Sequence, residues 1–193
     1  MASMVAPVND SSDDLLGDPI AWFFSEHQRH RKFCDLMQRS ALSTIYDERV
    51  LCSLLEFVVD DLGLHVLDEE QDLFPLLRAR ARPEDMIERV LGRLAGEHEK
   101  DLRRAAAVRS HLESCLRMGV PIGRSNKRRN ALQAFAIQER SHLALENAVV
   151  LPIARLRLTP QDLADLRRRI AKRRGLHLAT RPRRRRPVPP VRR

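Results

Sequence analysis

One pattern occurs twice in this chain. His65-Val-Leu-Asp-Glu69 is followed by Phe74-Pro75, and His142-Leu-Ala-Leu-Glu146 is followed by Leu151-Pro152. Each sets an imidazole and a carboxylate four residues apart. On a helix, positions i and i+4 share one face, about 6 Å apart along the axis. A nitrogen and an oxygen placed this way can grip one metal ion or flank a pair. Two such helices facing each other supply half of a binuclear site. The pattern therefore asks for helices in contact, with further ligands from elsewhere in the chain.

Composition agrees with helices. Leu, Ala, Arg and Glu dominate the 193 residues and aromatics make up only 4%, which favours helix over sheet. No apolar run is long enough to span a bilayer. The start, MASMVAPVNDSSDD, lacks the basic and apolar regions of a secretory signal. Cys34, Cys52 and Cys115 form no disulfide framework and read as reduced thiols of a cytoplasmic protein. The net charge of +9 is concentrated at one end. Residues 167–193 hold 13 Lys/Arg and no Asp/Glu, leaving 22 basic against 26 acidic residues in 1–166, a net of −4. A mildly acidic domain with a basic extension is a poor candidate for nucleic-acid recognition by its folded part.

Capping signals divide the chain. Asp18-Pro19 opens a first helix running to about residue 42. A second begins between Thr44 and Asp47, with a kink or a new short turn expected at Phe74-Pro75. Arg82-Pro83-Glu84-Asp85 opens a third, ending near Met118 with Gly119 just past its end. Ser125 caps a fourth, to about Arg157. Thr159-Pro160-Gln161-Asp162 starts a short fifth, ending near Gly175. The expected fold is all-α: an up-down-up-down four-helix bundle over residues 18–158, with a short C-terminal helix over 159–175. Residues 1–17 form an expected disordered segment and 176–193 an Arg/Pro-rich disordered tail.

Helix lengths then test for a shared site. With turns centred near residues 44, 82 and 122, the flanking histidines lie 17 and 21 residues from the first. They lie 17 and 16 from the second, and 24 and 20 from the third. The largest mismatch is about 6 Å at 1.5 Å per residue. His27, His65, His98 and His142 thus come to one level, which the apolar pattern does not require. With Glu69 and Glu146 they form the candidate metal site. Imidazole suits Fe, Zn, Cu and Ni, and carboxylates add affinity for Fe and Mn. Two divalent ions with two carboxylates and one hydroxide carry about +1 rather than +4, which a core tolerates far better. A single helical histidine is ordinarily structural. Four at one depth, two with carboxylates at i+4, are not explained by packing.

The segments Ser25-Glu26-His27, His65 to Pro75, Gly96-Glu97-His98, and His142-Leu-Ala-Leu-Glu146 through Leu151-Pro152 resemble the bacterial hemerythrin-like, HHE cation-binding domain. The four motifs fall in the right order over about residues 18–158. The resemblance implies a bundle holding two non-haem iron ions with a bridging oxo or hydroxo group, Mn or Zn being alternatives. It implies a protein that binds or senses dioxygen, related oxidants or iron. There is one departure. Oxygen-carrying hemerythrins supply two histidines from the third helix at i and i+4, and here the position four after His98 is Leu102. Glu70, Glu97 and Glu139 are candidates to fill that gap, and a histidine at 102 is expected to add a donor.

Two other functions compete. One is a di-iron oxidase or peroxidase, although ferritin-like oxidases show Glu-x-x-His pairs rather than His-x-x-x-Glu. The other is a metal-free helical adaptor acting through its tail. That tail could touch nucleic acid or anionic lipid weakly by charge alone. His30 reads as a solvated polar residue. Cys34 reads as a small buried one, and His111 and His177 as surface residues.

Overall fold

The computed structural model describes residues 17–176 and contains no strand among them. The tail beyond Leu176, with His177, and nearly all of the expected N-terminal segment lie outside the described residues.

Helix α1 (Pro19–Leu42) starts as its sequence demands. Asp18 accepts hydrogen bonds from the backbone N–H of Ile20 and Ala21, both at 3.1 Å, with Pro19 at the first helical position. Such a cap contributes about 1 kcal/mol. The second rod, residues 48–80, begins at an Asp47 cap. It comprises α2 (Glu48–Glu56), α3 (Leu62–Asp68) and α4 (Phe74–Arg80), joined by wide π turns at Phe57–Asp61 and Glu69–Leu73. The third rod is α5 (Ile87–Met118). The fourth joins α6 (Asn126–Leu145) to α7 (Leu151–Arg157) through a π turn at Glu146–Val150.

Two of the wide turns follow from proline. A proline ring clashes with the carbonyl four residues back and offers no N–H. Those carbonyls belong to Gln71 and Ala148. Widening the turn immediately ahead lets Phe74 N–H bond the Glu69 carbonyl and Leu151 N–H bond the Glu146 carbonyl, and each rod runs on. In place of the kink or new short turn expected at Phe74-Pro75 there is a widened turn just ahead of it, and the rod continues to Arg80. Both candidate carboxylates, Glu69 and Glu146, are the first residues of these turns.

Two other starts differ from expectation. Pro83–Asp85 makes only a 3-10 turn, and α5 begins after Met86, which is left-handed at φ 46°. Asp85 is the cause. Its carboxylate accepts from Arg82 N–H at 2.8 Å and receives two bonds from Arg157, both 2.8 Å, tying this turn to the end of α7. Ser125 occupies the cap position of α6 without making a side-chain cap bond. At the same end of the bundle Gly123 is pressed against the 41–43 turn. A Cβ there would stand 2.3 Å from the Ser43 carbonyl oxygen.

The core falls into two apolar parts. One end is built on Phe23, Leu73, Phe74, Leu91, Leu94 and Leu151, the other on Met37, Leu54, Phe57, Leu112, Leu132 and Phe135. Every rod carries buried polar residues between the two: His27 and His30, His65 and Glu69, His98 and Asp101, and Glu139, His142 and Glu146, while Asp68 and Asp72 of the second rod are buried against the C-terminal helix instead. A polar layer thus crosses the bundle, at an energetic cost unless its groups find partners.

Helix α8 (Pro160–Arg173) has the expected capping box between Thr159 and Asp162. It packs on the first apolar end through Leu166, Ile170 and Ala171. Part of the basic run is therefore folded. Arg173 bonds Asp68, and Asp72 at 2.6 Å. Arg174 bonds Asp68 at 2.8 Å and Glu26 at 3.0 Å, and its guanidinium lies 4.5 Å over the Trp22 ring. Glu26 and Asp68 each immediately precede a candidate ligand, so this clasp braces the two helices that carry His27 and Glu69. Arg174→Ala is expected to lower the unfolding free energy by about 2 kcal/mol. That is less than the roughly 3–5 kcal/mol of a fully broken buried pair, because Arg173 and Arg29 remain as partners. Denaturant titration measures it.

Candidate metal centre

His27 of the first rod and Glu69 of the second meet in the polar layer. Glu69 turns Oε1 toward the Nε2 atoms of His27 and His65, at 3.6 and 3.5 Å, and Oε2 toward His98 Nε2 at 3.2 Å. Glu146 does the converse. Its Oε1 faces His142 Nε2 at 3.0 Å and His98 Nε2 at 3.9 Å, while Oε2 faces His27 Nε2 at 3.5 Å. Two donor groups result, His27–His65–Glu69–Glu146 and Glu69–His98–His142–Glu146, each with its ligand atoms within 4.8 Å of one another. Both carboxylates belong to both groups.

The donor set fits cations. All four Nε2 atoms and all four carboxylate oxygens of these residues are buried without a hydrogen-bond partner. Eight orphaned polar atoms converging in a core would be very costly if nothing filled the space among them. Their separations suit metal ligation. Bonds of about 2.1 Å put two ligands about 3.0 Å apart at a right angle and about 3.4 Å apart at the tetrahedral angle.

The other ring nitrogens explain the remaining carboxylates. His98 Nδ1–H donates to Glu70 at 2.7 Å and His142 Nδ1–H donates to Glu97 at 3.1 Å. His30 Nδ1–H donates to Glu139 at 2.8 Å. Glu70, Glu97 and Glu139, the candidates to fill the gap left at Leu102, therefore lie outside both donor groups, and each serves an imidazole. Such partners fix the tautomer that leaves Nε2 free for a cation. Asn147 stands 2.7 Å from His27 Nδ1. With Nε2 given to a cation, Nδ1–H donates to the amide oxygen. With the amide turned over, its nitrogen donates to Nδ1 and its oxygen accepts from Arg31 at 2.8 and 3.0 Å. The amide orientation follows the His27 tautomer.

His30 corrects the reading of a solvated residue: it is 0% exposed. Its position three residues after His27 turns it into the layer, where only pairing with Glu139 from α6 makes burial tolerable. That pairing cannot be read from one helix alone. Leu102 is likewise corrected. It is 42% exposed while Asp101 and Ala105 are buried, so the inward face of α5 past His98 runs through 101 and 105. Leu102→His is expected to leave metal content and optical spectrum unchanged, as elemental analysis and absorbance of the loaded variant will show.

Aromatic rings wall the layer. Phe74 stacks on His98 at 5.8 Å, and Phe23 lies 6.4 Å from His27 and 6.1 Å from His65. Cys34, buried in the second apolar end, has its thiol pushed up to about 12, mainly by burial. A thiol held protonated in this way is an inert core group.

Burial opposes charge on all six side chains of the donor groups. At His98, burial is outweighed by the facing Glu69 carboxylate, which holds it up at about 9. At His142, burial is outweighed by attraction to the facing Glu146 carboxylate, which holds it up at about 10. His65 goes the other way, since burial dominates and pushes it well below 6.5. Burial, with the neighbouring charge of Glu69, raises the Glu146 carboxyl. At neutral pH His98 and His142 thus carry protons that a cation must displace.

None of the described residues forms a helix long and apolar enough to cross a membrane. No curated protein matches the sequence. The family model of the hemerythrin HHE cation-binding domain matches residues 18–177, through the end of α8. With a helical bundle of the expected kind and His/Glu groups able to hold cations at its centre, the chain belongs to the hemerythrin HHE cation-binding domain family.

Proposed function

We propose that the protein holds two iron ions between its four histidines and two shared glutamates, and that it binds or senses dioxygen or a related oxidant there. The carrying observation is the sharing: Glu69 and Glu146 each face both histidine pairs, leaving eight buried atoms without partners. His27 and His65 hold one ion, His98 and His142 the other. Glu69 and Glu146, which face both pairs, would be shared between the two ions and would offset their charge. Bound iron supplies the redox chemistry and open coordination positions that an oxidant needs. The protein's own share is to orient the imidazoles through Asn147, Glu70 and Glu97, and to keep water away with Phe23 and Phe74.

An oxidase or peroxidase is the second reading. One observation favours it: each donor group offers four protein atoms, fewer than a saturated site, so water and peroxide have room to bind. The test is metal analysis with optical spectra in air and after anaerobic reduction. About two irons per chain, with a reversible spectral change, supports binding or sensing. Sustained peroxide turnover moves the assignment to the enzyme, and a metal-free protein after iron loading overturns both.

A further inference from the structure

Hydrogen-bond demand around the four candidate histidine ligands is uneven. His27 has Asn147 at its Nδ1, His98 has Glu70 and His142 has Glu97. His65 has nothing. Its Nδ1 is buried and without a hydrogen-bond partner. If Nε2 takes a cation, Nδ1 must carry the proton, and a buried donor without an acceptor costs free energy.

The complementary defect lies alongside. His30 is fully buried and its Nδ1–H donates to Glu139 at 2.8 Å. That bond leaves Nε2 as an acceptor, and Nε2 is also buried without a partner. The rings of His30 and His65 are in contact, their centroids 4.4 Å apart at an interplanar angle of 60°. His30 also meets the Phe57 ring in a T-shaped contact, centroids 4.8 Å apart, which offers no acceptor or donor of comparable strength. An orphaned donor and an orphaned acceptor therefore share one contact, with a carboxylate behind the acceptor.

We infer that His30 and Glu139 are the positioning residues of His65: on cation binding His65 Nδ1–H donates to His30 Nε2, completing a carboxylate–histidine–histidine relay to the buried half of the centre. This rests on the cation-site reading above and extends it to residues outside the donor groups. The chemistry explains why the support is longer here. Glu70 and Glu97 belong to the more open half and retain some exposure, with side chains 31% and 14% exposed. His65 lies deeper, and a histidine carries the influence of Glu139 to it without placing a second bare carboxylate against the bridging pair. The effect is to hold the imidazole plane and raise its donor strength.

The full chain loaded with Zn2+, which is diamagnetic and redox-inert, provides the test. In 15N-labelled protein the Nδ1–H of His65 is expected as a downfield, slowly exchanging proton with a coupling to His30 Nε2 across the hydrogen bond. His30→Leu should abolish that signal and speed zinc release to a chelator about 10- to 100-fold. His30→Gln, whose amide oxygen can accept, should recover most of the slow release, and Glu139→Gln should fall between. A His65 Nδ1–H coupled to another acceptor overturns the relay, as does wild-type zinc release from folded His30→Leu. Should His30→Leu fail to fold, the wild-type coupling and the His30→Gln release rate decide. Wild-type protein that takes up no zinc or iron overturns the cation site itself, and the relay with it.

Discussion

Glu69→Gln is expected to empty both donor groups at once. Glu69 presents one oxygen to His27 and His65 and the other to His98, so replacing it removes a charge and a bridge from both halves. An amide bridges cations poorly and neutralises nothing. Elemental analysis after iron loading and desalting should fall from about two ions per chain to near zero, and Glu146→Gln should do the same. Single histidine variants should fail differently. His65→Ala disables the first group and leaves His98 and His142 with both carboxylates, and His142→Ala does the reverse. Each should lose at least one ion and keep its helical circular dichroism. Retention of one tightly held ion by Glu69→Gln would show that the two halves do not share this carboxylate.

Cation uptake should be steeply pH-dependent. His98 and His142 are held up at about 9 and about 10, so both are protonated at pH 7 and both must lose a proton before Nε2 can bind metal. Binding then releases about two protons, and affinity should rise about a hundredfold per pH unit between pH 6 and 7.5. Zinc titration calorimetry in two buffers of different ionisation enthalpy counts these protons, and a count near zero would contradict the assignment. Stability of the cation-stripped protein should move the opposite way. A histidine raised in the fold contributes stability that is full below its ordinary value of 6.5 and is lost as pH rises through the folded one. The stripped protein should therefore soften between about pH 6.5 and 10, while the loaded protein, with no proton left to lose at these groups, should not.

Much of this was legible in the sequence because helical spacing is local. Asp18-Pro19, the Thr159–Asp162 box and Gly119 announce helix ends through bonds that span three or four residues. Equal depth of the four histidines followed from turn positions and a rise of 1.5 Å per residue. Where contacts cross between rods, sequence reading failed. His30 looks solvated until Glu139 arrives from α6. Glu70 and Glu97 look like spare ligands until His98 and His142 present their Nδ1–H groups. Leu102 looks like a vacant ligand position because it lies at i+4, yet the rotation of α5 against its neighbours turns 101 and 105 inward instead.

The sequence by itself determined the helices, their order, and the level at which four histidines meet. Those features depend on backbone sterics and on residues within one turn of each other. Only the tertiary structure decided which oxygen of each glutamate faces which histidine pair. It also decided which carboxylates stand behind the imidazoles, and that Arg173 and Arg174, at the end of the short C-terminal helix, fold back onto Asp68 and Glu26. The physical reason is that a side chain's partner across a bundle depends on the rotation and offset of whole rods. Packing over the two apolar ends sets these, and no window of residues along one rod contains them.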